Sequence, residues 1–232
     1  MALIEFNRAP DAIEHLQRAL QLHLDDAETR INLGRALMSV GRTSEAITEF
    51  KAAIAKSPND PVVLNNFGFA LIQLERYPEA VACLELAVRL KPDYAFAHDN
   101  LGNALFRSGN FSRAIEQFQR ALHINPNDII AHSNLAILQA KVGRNDEAIK
   151  HHQEIVRIQP GFVQGYFNLA QALKLANRTE DAIAIARKGI EVARASEQTA
   201  AAEQIEAWLA SDLKTSLGIP GAPPADFDPK VQ

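Results

Sequence analysis

Histidine and asparagine are the residues of this chain whose types and spacing could do chemistry. His98 and His132 stand 34 positions apart, and His151 and His152 are adjacent. Imidazole is the commonest metal ligand and a general acid or base near neutral pH. Equivalent places in adjacent helix pairs lie about 10 Å apart, too far for shared coordination near ~2 Å. Neighbours on one helix point ~100° apart, so His151 and His152 form no chelate either. The histidines are therefore read as structural, and neither a metal nor a cofactor is expected. The chain contains no glycine loop followed by a phosphate-binding lysine, no nucleophile elbow and no zinc-spaced set of cysteine and histidine. Cys83 is the single cysteine and has no partner for an internal disulfide. No catalytic residue is assigned, and an enzyme is not expected.

Asparagine recurs with more regularity. INLG, NNFG, DNLG, SNLA and FNLA place Asn32, Asn66, Asn100, Asn134 and Asn168 at a constant step. Asparagine is a poor choice inside a helix, so local propensity does not explain the repetition. One reading is that each amide bonds a neighbouring repeat and helps stacking. The other is that the row donates to and accepts from the peptide groups of an extended ligand without reading its side chains. Arg35, Phe69, Asn103, Ile137 and Gln171 follow on the same helical face, with Met38, Ile72 and Phe106 one turn on.

The elements that position this row are repeats. Pro58, Pro92, Pro126 and Pro160 recur every 34 residues, and Ala46, Ala80, Ala114, Ala148 and Ala182 keep the same step. Gly34, Gly68 and Gly102 are continued by Ala136 and Ala170, so small residues recur where something must approach closely. Each unit reads as two helices: Leu64, Phe67, Gly68 and Leu71 make an i, i+3, i+4, i+7 stripe, as do Ala80, Leu84, Ala87 and Val88. Between the stripes stand Gly41, Glu75, Gly109, Gly143 and Asn177, mostly residues that tolerate a left-handed helix end. The proline then stops the second helix.

This pattern closely resembles the tetratricopeptide repeat (TPR), a 34-residue helix-turn-helix unit with small residues at the helix crossing and a closing proline. The resemblance implies an all-α, right-handed superhelical solenoid. Five units are expected at 27–60, 61–94, 95–128, 129–162 and 163–196, followed by a capping helix over 197–217 with a stripe of Ile205, Trp208, Leu209 and Leu213. Residues 218–232 read as a Pro/Gly-rich tail. Arg30, His98 and His132 stand where the family often has tryptophan, and Arg194 takes the place of the fifth proline. Gln139, His152 and Ala186 replace apolar or larger residues, so units four and five should pack less ideally. Residues 1–26 align with the later part of a unit, Met1 falling within its first helix. The chain thus reads as starting inside a repeat, with Ala12, Leu16 and Ala19 on an uncovered face suited to self-association.

In this family first helices line a concave groove, and asparagine ladders hold extended peptides in the TPR arms of O-linked N-acetylglucosamine transferases. The resemblance therefore implies a protein-interaction scaffold for an extended peptide or flexible segment. Five ladder positions spaced by about 10 Å suit roughly 12 extended residues. The family's basic clamp for carboxylate termini is poorly matched, because these faces carry few lysines or arginines. A substrate-recruiting arm of a larger enzyme such as a glycosyltransferase, and a self-assembling structural protein, are the alternatives.

Bulk properties agree with a folded protein: 47% of residues are hydrophobic and 22% charged. The formal charge of -4 is mild and its cations are scattered, which leaves no footprint for nucleic acid. No apolar run approaches a membrane span, so membrane insertion is not expected. The lone cysteine fits a reducing compartment, and a cytoplasmic location is expected.

Overall fold

A computed structural model of the chain describes residues 9–22 and 26–216, with side chains to 211. The alignment at Met1–Phe6, the proposed tail and the side chain of Leu213 lie outside the described residues. Twelve helices and no strand occur among the described residues: α1 (Ala9–Gln21), α2 (Ala27–Ser39), α3 (Thr43–Lys56), α4 (Pro61–Gln73), α5 (Tyr77–Leu90), α6 (Ala95–Arg107), α7 (Phe111–Ile124), α8 (Ile129–Lys141), α9 (Asn145–Ile158), α10 (Val163–Leu175), α11 (Thr179–Ala195) and α12 (Thr199–Ser216). The chain is an all-α solenoid of helix pairs and divides within α8 into two compact units, 1–138 and 139–232. No described helix is long and apolar enough to cross a membrane.

Within the N-terminal unit, an aspartate before the helix sets the start of the first helices α2 and α4. Asp26 accepts from Thr29 N at 2.6 Å, and Asp60 from Val62 N at 2.7 Å, satisfying N–H groups that a helix leaves unpaired. The turn between paired helices repeats one geometry. Gly41 and Gly109 have φ of 76° and 78°, and Glu75 takes 57°. Beyond each, the next N–H reaches back: Arg42 to Leu37 O, Arg76 to Leu71 O and Asn110 to Leu105 O, at 2.8–2.9 Å. This left-handed closure satisfies orphan carbonyls and turns the chain antiparallel.

The paired helices touch through the recurrent glycines. A Cβ built on Gly34 would stand 2.5 Å from the Phe50 ring, on Gly68 2.5 Å from Leu84 Cγ, and on Gly102 2.7 Å from the Phe118 ring. The large residue of each second helix thus fills the space that its glycine vacates, and Phe50, Leu84 and Phe118 are all buried. The core continues through Leu37, Leu71, Leu105 and Leu138. Leu16 and Leu20 of α1 are half-buried against it, and Ala12 is buried. The expected uncovered face of α1 is therefore smaller than the sequence pattern suggests.

The C-terminal unit uses the same turn with other residues: Gly143 and Asn177 have φ of 79° and 59°. Its second core joins Phe167, Ala170, Ala186, Ile190, Ile205 and Leu209. Where proline is missing after the fifth unit, α11 runs on for 17 residues and ends through Glu197 at φ 58°, with Gln198 N bonded to Ala193 O at 2.8 Å. α12 then packs back on α10 and α11, its Trp208 ring edge-on to Phe167 at 5.7 Å. Two of the departures from the repeat pattern bury polar atoms. Gln139 Oε1 and His152 Nδ1 are buried without a hydrogen-bond partner. Burial, and then the charge of His151, pull His152 down to about 4.

Candidate functional site

The first helices α2, α4, α6 and α8 carry Asn32, Asn66, Asn100 and Asn134 of the N-terminal unit, all half-buried. They are not chemically equivalent. Asn100 donates its Nδ2 to Asn65 Oδ1 at 2.9 Å, while Asn65 Nδ2 reaches the Tyr94 hydroxyl at 3.5 Å. At this junction the amide joins one repeat to the previous one, as the stacking reading requires. Among the described residues no hydrogen bond engages the side chains of Asn32, Asn66 or Asn134. Asn168 belongs to the C-terminal unit, where its Oδ1 accepts from Gln164 Nε2 at 2.8 Å.

Around the free amides of Asn66 and Asn134 the surface is apolar. Phe69 and Ile137, three residues beyond Asn66 and Asn134, are 39% and 46% exposed. Arg35 is exposed, while Asn103 and Phe106 are half-buried; Phe106 leans on Phe111 with ring centres 5.8 Å apart. Gln171 lies half-buried in the C-terminal unit. A second row escaped the sequence reading: Val62, Phe96 and Ile130, four residues before successive asparagines, are 39%, 64% and 65% exposed. Their spacing by 34 was available in the sequence. Taken one unit at a time, however, each reads as part of a helix start. The i, i+4, i+7 relation puts both rows on the helical face of the asparagines.

His98 and His132 have structural work. His98 lies between Gln117 Oε1 at 2.8 Å and the Pro92 carbonyl at 2.9 Å, and His132 Nε2 meets the Pro126 carbonyl at 3.1 Å. A carbonyl only accepts, so Nε2 carries the proton in both and ties a first helix to the preceding proline turn. Burial, and then Glu79, push the Cys83 thiol up, away from an activated nucleophile. No group of three or more potential metal ligands gathers among the described residues.

Residues 68–109 and 102–143 match a profile described as TPR repeat, and residues 1–61 and 133–198 match the tetratricopeptide repeat. No curated protein sequence matches the chain. Among solved structures, a MamA is 24% identical with a TM-score of 0.65, over 72% of this chain and 97% of its own. MamA from Desulfovibrio magneticus RS-1 is 22% identical with a TM-score of 0.66, over 74% and 97%. YrrB, described as a TPR protein with an unusual peptide-binding site, is 23% identical with a TM-score of 0.61, over 78% and 93%. These structures share the fold, and the repeat matches extend over more than half of the sequence. The chain belongs to the tetratricopeptide repeat family.

Proposed function

We propose that the chain is a non-catalytic scaffold that holds an extended peptide or flexible protein segment along the first-helix face of its N-terminal unit. The observation that carries this reading is the set of unengaged amides of Asn32, Asn66 and Asn134, the last two of which lie between two exposed apolar rows. The amides suit the ligand backbone. Val62, Phe96 and Ile130 suit side chains along one edge of the ligand, and Phe69 and Ile137 those along the other. Asn100 is assigned to stacking, and Asn168 with Gln171 is left out of this site. Four repeats give three steps of about 10 Å, enough for roughly nine extended residues at ~3.3 Å each. Three amides at ~1 kcal/mol each give weak binding alone, so affinity depends on burying the apolar rows. YrrB's described peptide-binding site supports a peptide-binding use of the shared fold.

Selection of a random 12-residue peptide display library on the full chain tests the reading. Enriched peptides should carry apolar residues on both edges. They should lose binding to an Asn66→Ala, Asn134→Ala variant and, separately, to a Phe69→Ala, Ile137→Ala variant, with melting little changed. No enrichment, or binding indifferent to both variants, contradicts it.

A further inference from the structure

At the junction of the third and fourth repeats two buried carboxyl groups meet. Asp99 lies on α6 immediately before Asn100 and is 8% exposed; Asp128 precedes α8 and is 9% exposed. Two carboxylates in contact and shielded from water do not both ionise readily, because desolvation and repulsion act together. Their surroundings decide which keeps the proton. Asp128 Oδ1 accepts from Ile130 N at 2.9 Å and Ala131 N at 3.2 Å, at the positive end of a helix. Asp99 Oδ1 is buried without a hydrogen-bond partner. Asp128, already held by two backbone N–H groups, is thus the acceptor, and Asp99 the protonated donor. Burial first, then the charge of Asp128 and the hydrogen bond to it, push Asp99 up to about 7.

The preceding junction contains a neutral counterpart. Asn65, Tyr94 and Asn100 stand 34 residues before Asp99, Asp128 and Asn134, and there the contacts are Asn100 to Asn65 and Asn65 to Tyr94. The elements packed on α6 bring few other charges to the pair. From α4 comes the neutral Asn65, and from α7 Gln117, which engages His98. Beyond the end of α5, the Lys91 ammonium lies over the Tyr94 ring at 5.2 Å. Arg35 and Asp60 also act on the Tyr94 hydroxyl, and on α8 His132 is bound to Pro126. Asp128 is the charged group that acts on Asp99.

We propose that Asp99 and Asp128 form a proton-operated clasp between the third and fourth repeats. While one proton is shared, the carboxyl groups bind α6 to the start of α8. When it leaves, two like charges face each other and the junction loosens. Asn134 and Ile137 stand on α8, so the clasp also tunes the ligand face; that consequence alone rests on the proposed function. A carboxyl group raised on folding holds a proton that the unfolded chain has already released. The stability it adds is therefore full below about 4, declines as pH rises from about 4 through about 7, and is level above.

Hydrogen exchange of the full chain at pH 5 and pH 8, expressed as protection factors corrected for intrinsic rates, tests the clasp. Protection of α6 and of α8 up to Leu138 should fall on the order of tenfold or more in the wild type, since each unit of pKa displacement is tenfold. Asp99→Asn, which places here the residue found at Asn65, should abolish that fall. Carbon-13 titration of the wild-type aspartate carboxyl groups gives a reading independent of the variant, and Asp99 should titrate near 7. The proposal is overturned by unchanged protection in the wild type, by an equal fall in Asp99→Asn, or by an Asp99 that titrates near 4. A failed peptide selection leaves every one of these outcomes untouched.

Discussion

Identical asparagines at one repeat position have different neighbours, and their replacements should separate accordingly. Asn100→Ala leaves the buried Asn65 Oδ1 without its donor, a cost of about 1–3 kcal/mol in chemical denaturation. Asn66→Ala breaks no described hydrogen bond and should stay within about 0.5 kcal/mol. At the turns, Glu75 occupies a left-handed conformation where Gly41 and Gly109 stand in neighbouring repeats. Glu75→Gly should therefore raise stability by about 0.5–1 kcal/mol, measured in the same way, because a side chain is strained there and glycine is not. The recurrence of the asparagines was legible in the sequence. The Asn100 partner was not, since its position reads Ile31, Asn65, Asp99, Ser133 and Phe167 and has no periodicity to expose it.

Helix pairing follows from volume exchanged between two positions. Gly34, Gly68 and Gly102 admit Phe50, Leu84 and Phe118, whereas Ala170 of the C-terminal unit is matched by the small Ala186 in the same register. Gly102→Ala should cost about 1–3 kcal/mol by thermal unfolding, because the new methyl overlaps the fully buried Phe118 ring. The same helix register that holds Phe118 holds His152, buried with an unpartnered nitrogen. Its neutral form is favoured by folding, so the unfolded chain binds more protons between about 4 and 6.5 and the C-terminal unit gains stability as pH rises through that window. The gain should be about 3 kcal/mol, read by the fluorescence of Trp208, and His152→Leu should remove it. Two-helix units, their turns and the substitution of ideal residues at Gln139 and His152 could all be read from spacing. The extension of α11 could not: the loss of proline removes a stop, but the new end depends on Glu197 accepting a left-handed conformation.

At the scale of the whole molecule, two compact units with opposing buried ionisations should not share one transition. From about pH 4 to 6.5 His152 favours the folded C-terminal unit, while Asp99 increasingly disfavours the folded N-terminal unit up to about 7. Hydrogen exchange resolved by helix should show α6 and the start of α8 losing protection as α9–α11 gain it. The proposed ligand face falls on one side of the same division, on α2, α4, α6 and the first part of α8. The most direct measurement is the side-chain amide NMR spectrum of the full chain during titration with a peptide selected on it. The Asn32, Asn66 and Asn134 resonances should move and give intermolecular contacts to the peptide backbone, with Val62, Phe69, Phe96, Ile130 and Ile137 touching its side chains. Contacts confined to α3, α5 and α7, or to the C-terminal unit, would contradict it.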